Sequence, residues 1–148
     1  MKVIHKSYKF KIAPDNEHKE LLAKHFGACR FVFNRYLNSR KETYLEEKKS
    51  LNYYDNANDL TVLKKDEQFV WLKEINSQSL QSSLRNLDTA YNKFFRKQTK
   101  FPRFKSKFDK QSFTVPQSVY IEDGKLQIPK FKKGIEINIH REIEGKLI

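Results

Sequence analysis

An α+β fold, with a helical module inserted between strands of one small antiparallel sheet or barrel, follows from three features of the 148-residue sequence. Apolar residues recur at every second position near both ends of the chain. They recur at alternating spacings of four and three through two long central stretches, and an Asp123-Gly124 pair separates two of the alternating runs. Period two belongs to strands and the four-three spacing to helices. A lone N-terminal strand needs sheet partners, so the C-terminal strands are expected to supply them, with the helices as an insertion.

The first strand is expected from Ile4, where Ile4, Lys6, Tyr8, Phe10 and Ile12 alternate with His5, Ser7, Lys9 and Lys11. Ala13-Pro14-Asp15 ends it. Asp15 is placed to cap a helix whose first turn carries Glu17 and Glu20, at the positive end of the helix dipole. Leu22, Phe26, Cys29, Phe33 and Tyr36 form the core-facing stripe of that helix, widened by Leu21, Ala28 and Val32, and Gly27 marks a bend or a close approach. Near Lys48 the helix is expected to fade into the loop LNYYDNAND, in which Asp55 caps a short helix carrying Leu60 and Leu63. Phe69, Trp71, Leu72 and Ile75 follow, with Trp71 read as a core anchor.

Asn76 or Ser77 opens the second long helix, and Leu80, Leu84, Leu87, Tyr91 and Phe94 predict antiparallel packing on the first. Farther on, the two-residue Asp123-Gly124 loop sets Ile121 opposite Leu126 and Val119 opposite Ile128. Ile135, Ile137 and Ile139 read as a further strand, and Ile143, Leu147 and Ile148 as the start of another. The chain therefore divides into a first strand (1–13), a helical insertion (14–98), and a basic-aromatic segment with the remaining strands (99–148).

That segment carries the functional signal. From Lys93 to Lys110 the chain reads KFFRKQTKFPRFKSKFDK, with eight Lys or Arg, one acid and five Phe in eighteen residues. Cations neutralise phosphates and release condensed counterions, while aromatic rings stack on unpaired bases. The formal net charge is +12, and this segment supplies seven of those charges. Lys93, Arg96, Lys97, Lys100, Arg103, Lys105 and Lys107 are the candidate RNA- or DNA-backbone contacts. Arg103, Lys105 and Lys107 share one side if the segment is extended, which leaves Phe104 and Phe108 to anchor or stack.

Other classes find little support. The single cysteine excludes an intrachain disulfide and a multi-cysteine zinc site within the chain. His5, His18, His25 and His140 form no metal-binding motif. His25 and Cys29 are four apart, but Cys29 lies on the apolar stripe, so a core role is expected. The four glycines are scattered and build no phosphate loop, and Glu46-Glu47 and Asp66-Glu67 read as solvated helix ends. No catalytic residue, metal or cofactor is expected. No apolar run approaches a membrane span, so a cytoplasmic protein without a membrane partner is expected.

Three stretches, Tyr8 to Tyr44, Trp71 to Phe95 and FPRFKSK (Phe101 to Lys107) with the following QSFTV, make the chain resemble the OrfB or TnpB proteins of bacterial insertion sequences. These are RNA-guided DNA nucleases related to type V CRISPR effectors. The resemblance implies a helical recognition module inserted into a small wedge-type antiparallel β-barrel, the barrel incomplete at the C-terminus. It implies guide RNA and double-stranded DNA as partners. The family's RuvC-like domain and four-Cys zinc ribbon have no counterpart in these residues, so cleavage is expected to be absent, and a truncated gene or a shortened chain is expected rather than a complete member.

The resemblance also places Tyr53, Gln81 and Thr114 where the family faces target-flanking duplex. Gln81 has the amide to read an adenine edge, Tyr53 a hydroxyl and a ring, and Thr114 a hydroxyl and a methyl suited to thymine. Each has an ordinary structural alternative: Tyr53 as packing, Gln81 as a helix-start surface residue, Thr114 as a strand residue. Two other readings stay open, a free-standing helix-turn-helix DNA-binding regulator and a degenerate, truncated transposase. The long regular stripes favour packed helices over a short exposed recognition helix.

Overall fold

Asp15 starts the first helix with a reciprocal cap. Its Oδ1 accepts from the His18 backbone N–H at 2.9 Å, and its own N–H donates to His18 Nδ1 at 3.1 Å, so a histidine takes the place usually held by Glu or Gln. The computed structural model describes residues 1–147, and Ile148, expected to begin a further strand with Ile143 and Leu147, lies outside them. Helix α1 (Asn16–Glu47) runs unbroken for 32 residues and ends at Lys48 in the left-handed region. Gly27 lies within it, and a Cβ there would meet only Arg30 Nη2 at 3.8 Å, so no close approach explains the glycine.

Helix α2 (Tyr53–Leu63) begins two residues before its expected cap: Asn52 caps it, and Asp55 is the reciprocal partner three residues on. Tyr53 and Tyr54 therefore stand in the first turn of a helix instead of a loop. A 3-10 helix (Glu67–Glu74) follows, then α3 (Ser77–Phe95), capped by Asn76. Trp71 is not the core anchor. It is 40% exposed and meets Phe31 at a tilt, ring centres 5.4 Å apart, while its neighbour Leu72 is fully buried.

The two long helices pack in parallel, which overturns the antiparallel expectation. Cys29 O accepts from Ser83 Oγ at 2.7 Å, Asn76 N–H donates to His25 Nε2 at 3.3 Å, and Arg40 Nη2 donates to Asp88 Oδ1 at 3.0 Å, so partner numbers rise together. Along the connection they oppose: Arg40 with Asn56, Tyr36 with Asp59, Arg35 over Phe69, Lys24 with Glu74. An apolar stripe names the buried face of a helix but not its direction. Here α2 and the 3-10 helix, each about 16 Å long, carry the chain back to the starting end of α1.

Val32, Leu37, Leu72, Leu80, Leu84 and Leu87 are fully buried between these elements. Arg40 joins three helices: Nε donates to Asn56 Oδ1 at 2.8 Å, Nη2 reaches Asp88, and the guanidinium lies 5.0 Å from the Tyr91 ring centre.

The sheet joins both ends of the chain in the order β1-β4-β3-β2, all antiparallel. Strand β1 (Lys11–Ala13) pairs with β4 (Ile135–Asn138), setting Ile12 opposite Ile137. The β2 (Tyr120–Glu122) and β3 (Lys125–Gln127) hairpin has the expected register, Ile121 opposite Leu126, with Asp123 and Gly124 at φ 51° and 71° as a two-residue turn of this type demands. The first strand is shorter than expected. Residues 4–10 leave the ladder and are held by side chains: Tyr8 Oη accepts from the Glu144 N–H at 2.9 Å, Arg141 covers Tyr8, Lys6 pairs with Glu144, and Phe10 meets His140.

Among the described residues no strand follows β4, and the sheet remains open. Ile121, Leu126 and Ile137 line, with Tyr8, Phe10 and Ile143, a depression of about 470 Å³. The sheet is tied to α1 at one corner: His18 Nε2 donates to Lys133 O at 2.9 Å, and Lys133 pairs with Asp15 at 2.6 Å.

Replacing Arg40 by Ala leaves Asp88 and Asn56 without their shared donor. A urea melt should show a loss of roughly 1–3 kcal/mol, since Asn56 is left buried without its donor while Asp88 is partly exposed, and Arg40→Lys should recover only part of it, because an ammonium cannot match the guanidinium fork.

Candidate nucleic-acid interface

After α3 the chain turns at Lys97, whose φ is 62°, and runs back along α1 as an irregular strap. Phe101 stands edge-on to Tyr91 and Phe94, at 5.5 and 5.2 Å. Lys41 Nζ lies over Phe104 at 5.3 Å. About two turns of α1 nearer its start, Asn34 clamps the strap backbone, accepting from the Lys105 N–H at 2.7 Å and donating to Lys105 O at 2.9 Å. Arg30 then donates to Gln111 Oε1 at 3.0 Å, and Phe113 closes against Phe26 and His25.

All seven cations singled out in the sequence, Lys93, Arg96, Lys97, Lys100, Arg103, Lys105 and Lys107, are exposed. Among the described residues none of them is in an ion pair. They do not form the even ribbon that an extended segment would give. Lys105 folds back over Phe33 at 4.7 Å, and Lys107 sits in a turn closed by the Asp109 N–H on Ser106 O at 3.0 Å. The side chains of Ser106 and Asp109 stabilise that turn locally.

Tyr53, Gln81 and Thr114 are spread over two flanks of α3. Tyr53 is half-buried beneath the Arg85 guanidinium, 4.5 Å from the ring centre, and Gln81 is exposed one turn before Arg85. Thr114 is exposed at the far end of the strap, lining a cleft of about 430 Å³ with Ser79, Ser83 and Asn86. Gln81 stands about 200° round the helix from Ser79. Between the flanks, Gln78 Nε2 donates to Gln117 Oε1 at 3.0 Å.

Sequence reasoning missed the anchors of the strap. Arg30, Asn34 and Lys41 interrupt the α1 surface at spacings of four and seven, so they share one side of the helix. A polar stripe bordering an apolar one was the available signal. Arg85, the partner of Tyr53, left no such trace.

His25 and Cys29 are both buried and already engaged. His25 Nδ1 donates to Leu21 O at 2.9 Å while Nε2 accepts from Asn76, which specifies a neutral ring; burial, aided by Lys130, lowers its pKa. Burial pushes the Cys29 thiol up to about 11, and its Sγ lies 3.7 Å from Ser79 O. Among the described residues no three His, Cys, Asp or Glu side chains are grouped to hold a metal ion. No helix among the described residues is long and apolar enough to cross a membrane.

Residues 1–49 match the helix-turn-helix domain model of OrfB proteins of the IS605 type. InsQ of Escherichia coli (strain K12), provisionally named an RNA-guided DNA endonuclease, is 37% identical over 126 residues, covering 84% of this chain and 31% of its own. A Streptomyces pristinaespiralis protein with the same provisional activity in its name is 31% identical over 97% of this chain and 36% of its own. The virulence protein VsdF of Salmonella dublin is 34% identical over 67% of this chain and 91% of its own. The chain belongs to the OrfB/TnpB family of insertion-sequence proteins. It spans about a third of the length of the two relatives named for RNA-guided cleavage.

Membership in a family with a helix-turn-helix match speaks for DNA binding. In this OrfB/TnpB chain, however, the matched residues form β1 and one continuous helix, with no turn between two helices. Helix α3 and the strap both lie against that helix.

The neutral His25 makes stability depend on pH. Its pKa is lower folded than unfolded, so below about 6.5 the unfolded chain binds the extra proton and stability falls as pH falls. Asp15, held down to about 2 by Lys133 and the His18 N–H, keeps its contribution throughout this range and loses it only as pH falls below its ordinary value of 3.8. Denaturant melts between pH 7.5 and about 5.5 should show the loss, and His25→Gln, though less stable, should flatten the slope.

Proposed function

We propose that the chain is the nucleic-acid-binding part of a TnpB-type protein, holding a guide RNA through the strap and facing target-flanking duplex with Tyr53, Gln81 and Thr114. The observation that carries this reading is a run of seven exposed cations, without acidic partners among the described residues, that passes from the last turn of α3 into a strap whose backbone is clamped to α1 at Lys105. Cations are otherwise spread over a surface with acids among them. Here they are concentrated and their supporting backbone is pre-positioned, which lowers the ordering cost of binding. The open sheet is then one side of a wedge barrel, with the helices as the recognition module between its strands. Two of the relatives carry RNA-guided cleavage in their names, and on this reading cleavage belongs to parts of such proteins outside the aligned third.

A free-standing helix-turn-helix regulator is the competing reading. It needs a short recognition helix standing clear of its support, whereas α3 buries Leu80, Leu84 and Leu87 against α1.

Changing Arg103, Lys105 and Lys107 together to Gln should weaken binding to structured RNA and reduce the log-log salt slope by about two to three, because each lost phosphate contact removes about 0.7–0.9. The charge-matched control is Lys19, Lys73 and Lys132, all exposed and away from the strap. Equal losses from the two triple variants, in affinity and in slope, would mean a diffuse positive surface instead of a site.

The same preparation, given Mg²⁺, guide RNA and target DNA, should leave the DNA uncut, since phosphodiester hydrolysis by paired metals needs clustered carboxylates. Cutting that survives repurification and stops with EDTA would refute the assignment.

A further inference from the structure

Because α1 and α3 run parallel, both end at the same pole of the helical unit. Between those ends lies a cleft of about 510 Å³ bounded by Tyr44, Leu45, Tyr91, Phe94, Phe95 and Phe101. Core burial does not account for this cluster. Phe95 is 67% exposed, Leu45 69%, Tyr44 53% and Phe101 41%. At its floor, Tyr91 stacks with Phe95 at 6.1 Å and meets Phe101 edge-on. The Tyr91 hydroxyl is the one buried side-chain polar atom without a hydrogen-bond partner among the described residues.

The charge around the cleft selects the occupant. Lys41 lines it, Lys48 lies 5.3 Å from the Tyr44 ring centre, and Lys93, Arg96, Lys97 and Lys100 are exposed on the end of α3 and the turn after it. The carboxylate in the wall, Asp88, is taken up by Arg40 at 3.0 Å, and Glu46 and Glu47 are exposed on the last turn of α1. A groove for an apolar peptide would not need this ring of cations. A flat aromatic group on a polyanionic backbone needs both parts: rings to stack on and ammonium or guanidinium groups for the flanking phosphates. Bases inside a duplex cannot enter such a cleft. The rim adds Ser50, Asn52 and Asn92, hydroxyl and amide groups of the kind that recognise a ribose 2′-hydroxyl.

We propose that this cleft binds an unpaired base of an RNA strand, stacked against Phe95 with its phosphates on the surrounding cations. The proposal rests on the nucleic-acid reading of the strap and adds a base-stacking site that backbone contacts do not require.

The test uses the 148-residue chain and an RNA hairpin with a single bulged 2-aminopurine, compared with the same hairpin carrying an abasic bulge and with the DNA hairpin of the same sequence. Stacking should quench the 2-aminopurine fluorescence on binding, and the abasic hairpin should bind about tenfold more weakly. Phe95→Leu, a change at an exposed position that keeps the thermal melt, should lose about the same factor for the base-containing hairpin and nothing for the abasic one. The DNA hairpin should bind more weakly than the RNA. Equal affinity for the base-containing and abasic RNA, without quenching, overturns the cleft assignment and leaves the strap reading standing. Equal binding of the DNA hairpin overturns the choice of RNA. No binding to any RNA overturns both this proposal and the reading beneath it.

Discussion

The parallel seam between α1 and α3 is the constraint from which the rest of the molecule follows. Leu80, Leu84 and Leu87 are fully buried along it, each contributing about 1.5–3 kcal/mol of hydrophobic stabilisation. Two adjacent parallel helices cannot be joined by a short turn. The chain must first travel the length of the seam backwards, which α2 and the 3-10 helix do on one side. It must then travel back a second time to reach the sheet beside the start of α1, which the basic strap does. The strap is thus a return path forced by topology, and its pinning by Asn34 and Arg30 turns that path into a shaped surface.

The seam also sorts the charge. Five carboxylates are engaged with cations outside the strap: Asp88 with Arg40, Asp15 with Lys133, Glu144 with Lys6, and Glu20 and Glu74 near Lys24. Several of these join distant parts of the chain and so help hold the fold. The strap cations retain their field toward solvent, where it attracts a polyanion over a distance of about a Debye length. Near the start of the seam, His25 links α1, the Asn76 cap of α3, Phe113 of the strap and Phe131 of the loop before β4. One neutral ring thereby joins helices, strap and sheet, which is why its protonation bears on the whole chain.

Periodicity and turn chemistry were enough to read several features from the residues. The α+β class, the Asp15 cap, both long helices, the Asp123-Gly124 hairpin with Ile121 opposite Leu126, and the pairing of the first strand with a C-terminal one are all local in origin or forced by a lone strand's need for partners. The basic-aromatic segment was legible for the same reason, since charge density is a property of the chain itself. The misreadings share a cause as well. Trp71 reads as a core anchor, yet Leu72 and Ile75 fill that interior and the indole, 40% exposed, meets Phe31 only at a tilt. Asp55 was taken for a cap because it is a good one, but Asn52 stands three residues earlier and the two side chains cap each other's backbone.

The sequence alone therefore determined which faces are apolar, where helices begin, how one hairpin registers and where positive charge accumulates, because each depends on neighbours within a few residues. Tertiary structure decided the direction in which α3 lies on α1, the course of the strap, the placing of Tyr53 and Gln81 on one flank of α3 with Thr114 on the other, and the aromatic cleft where two helices end together. Those depend on how a connection of fixed length can return while the helices bury their apolar faces and buried backbone groups find partners, and that condition is met only when the whole chain is packed.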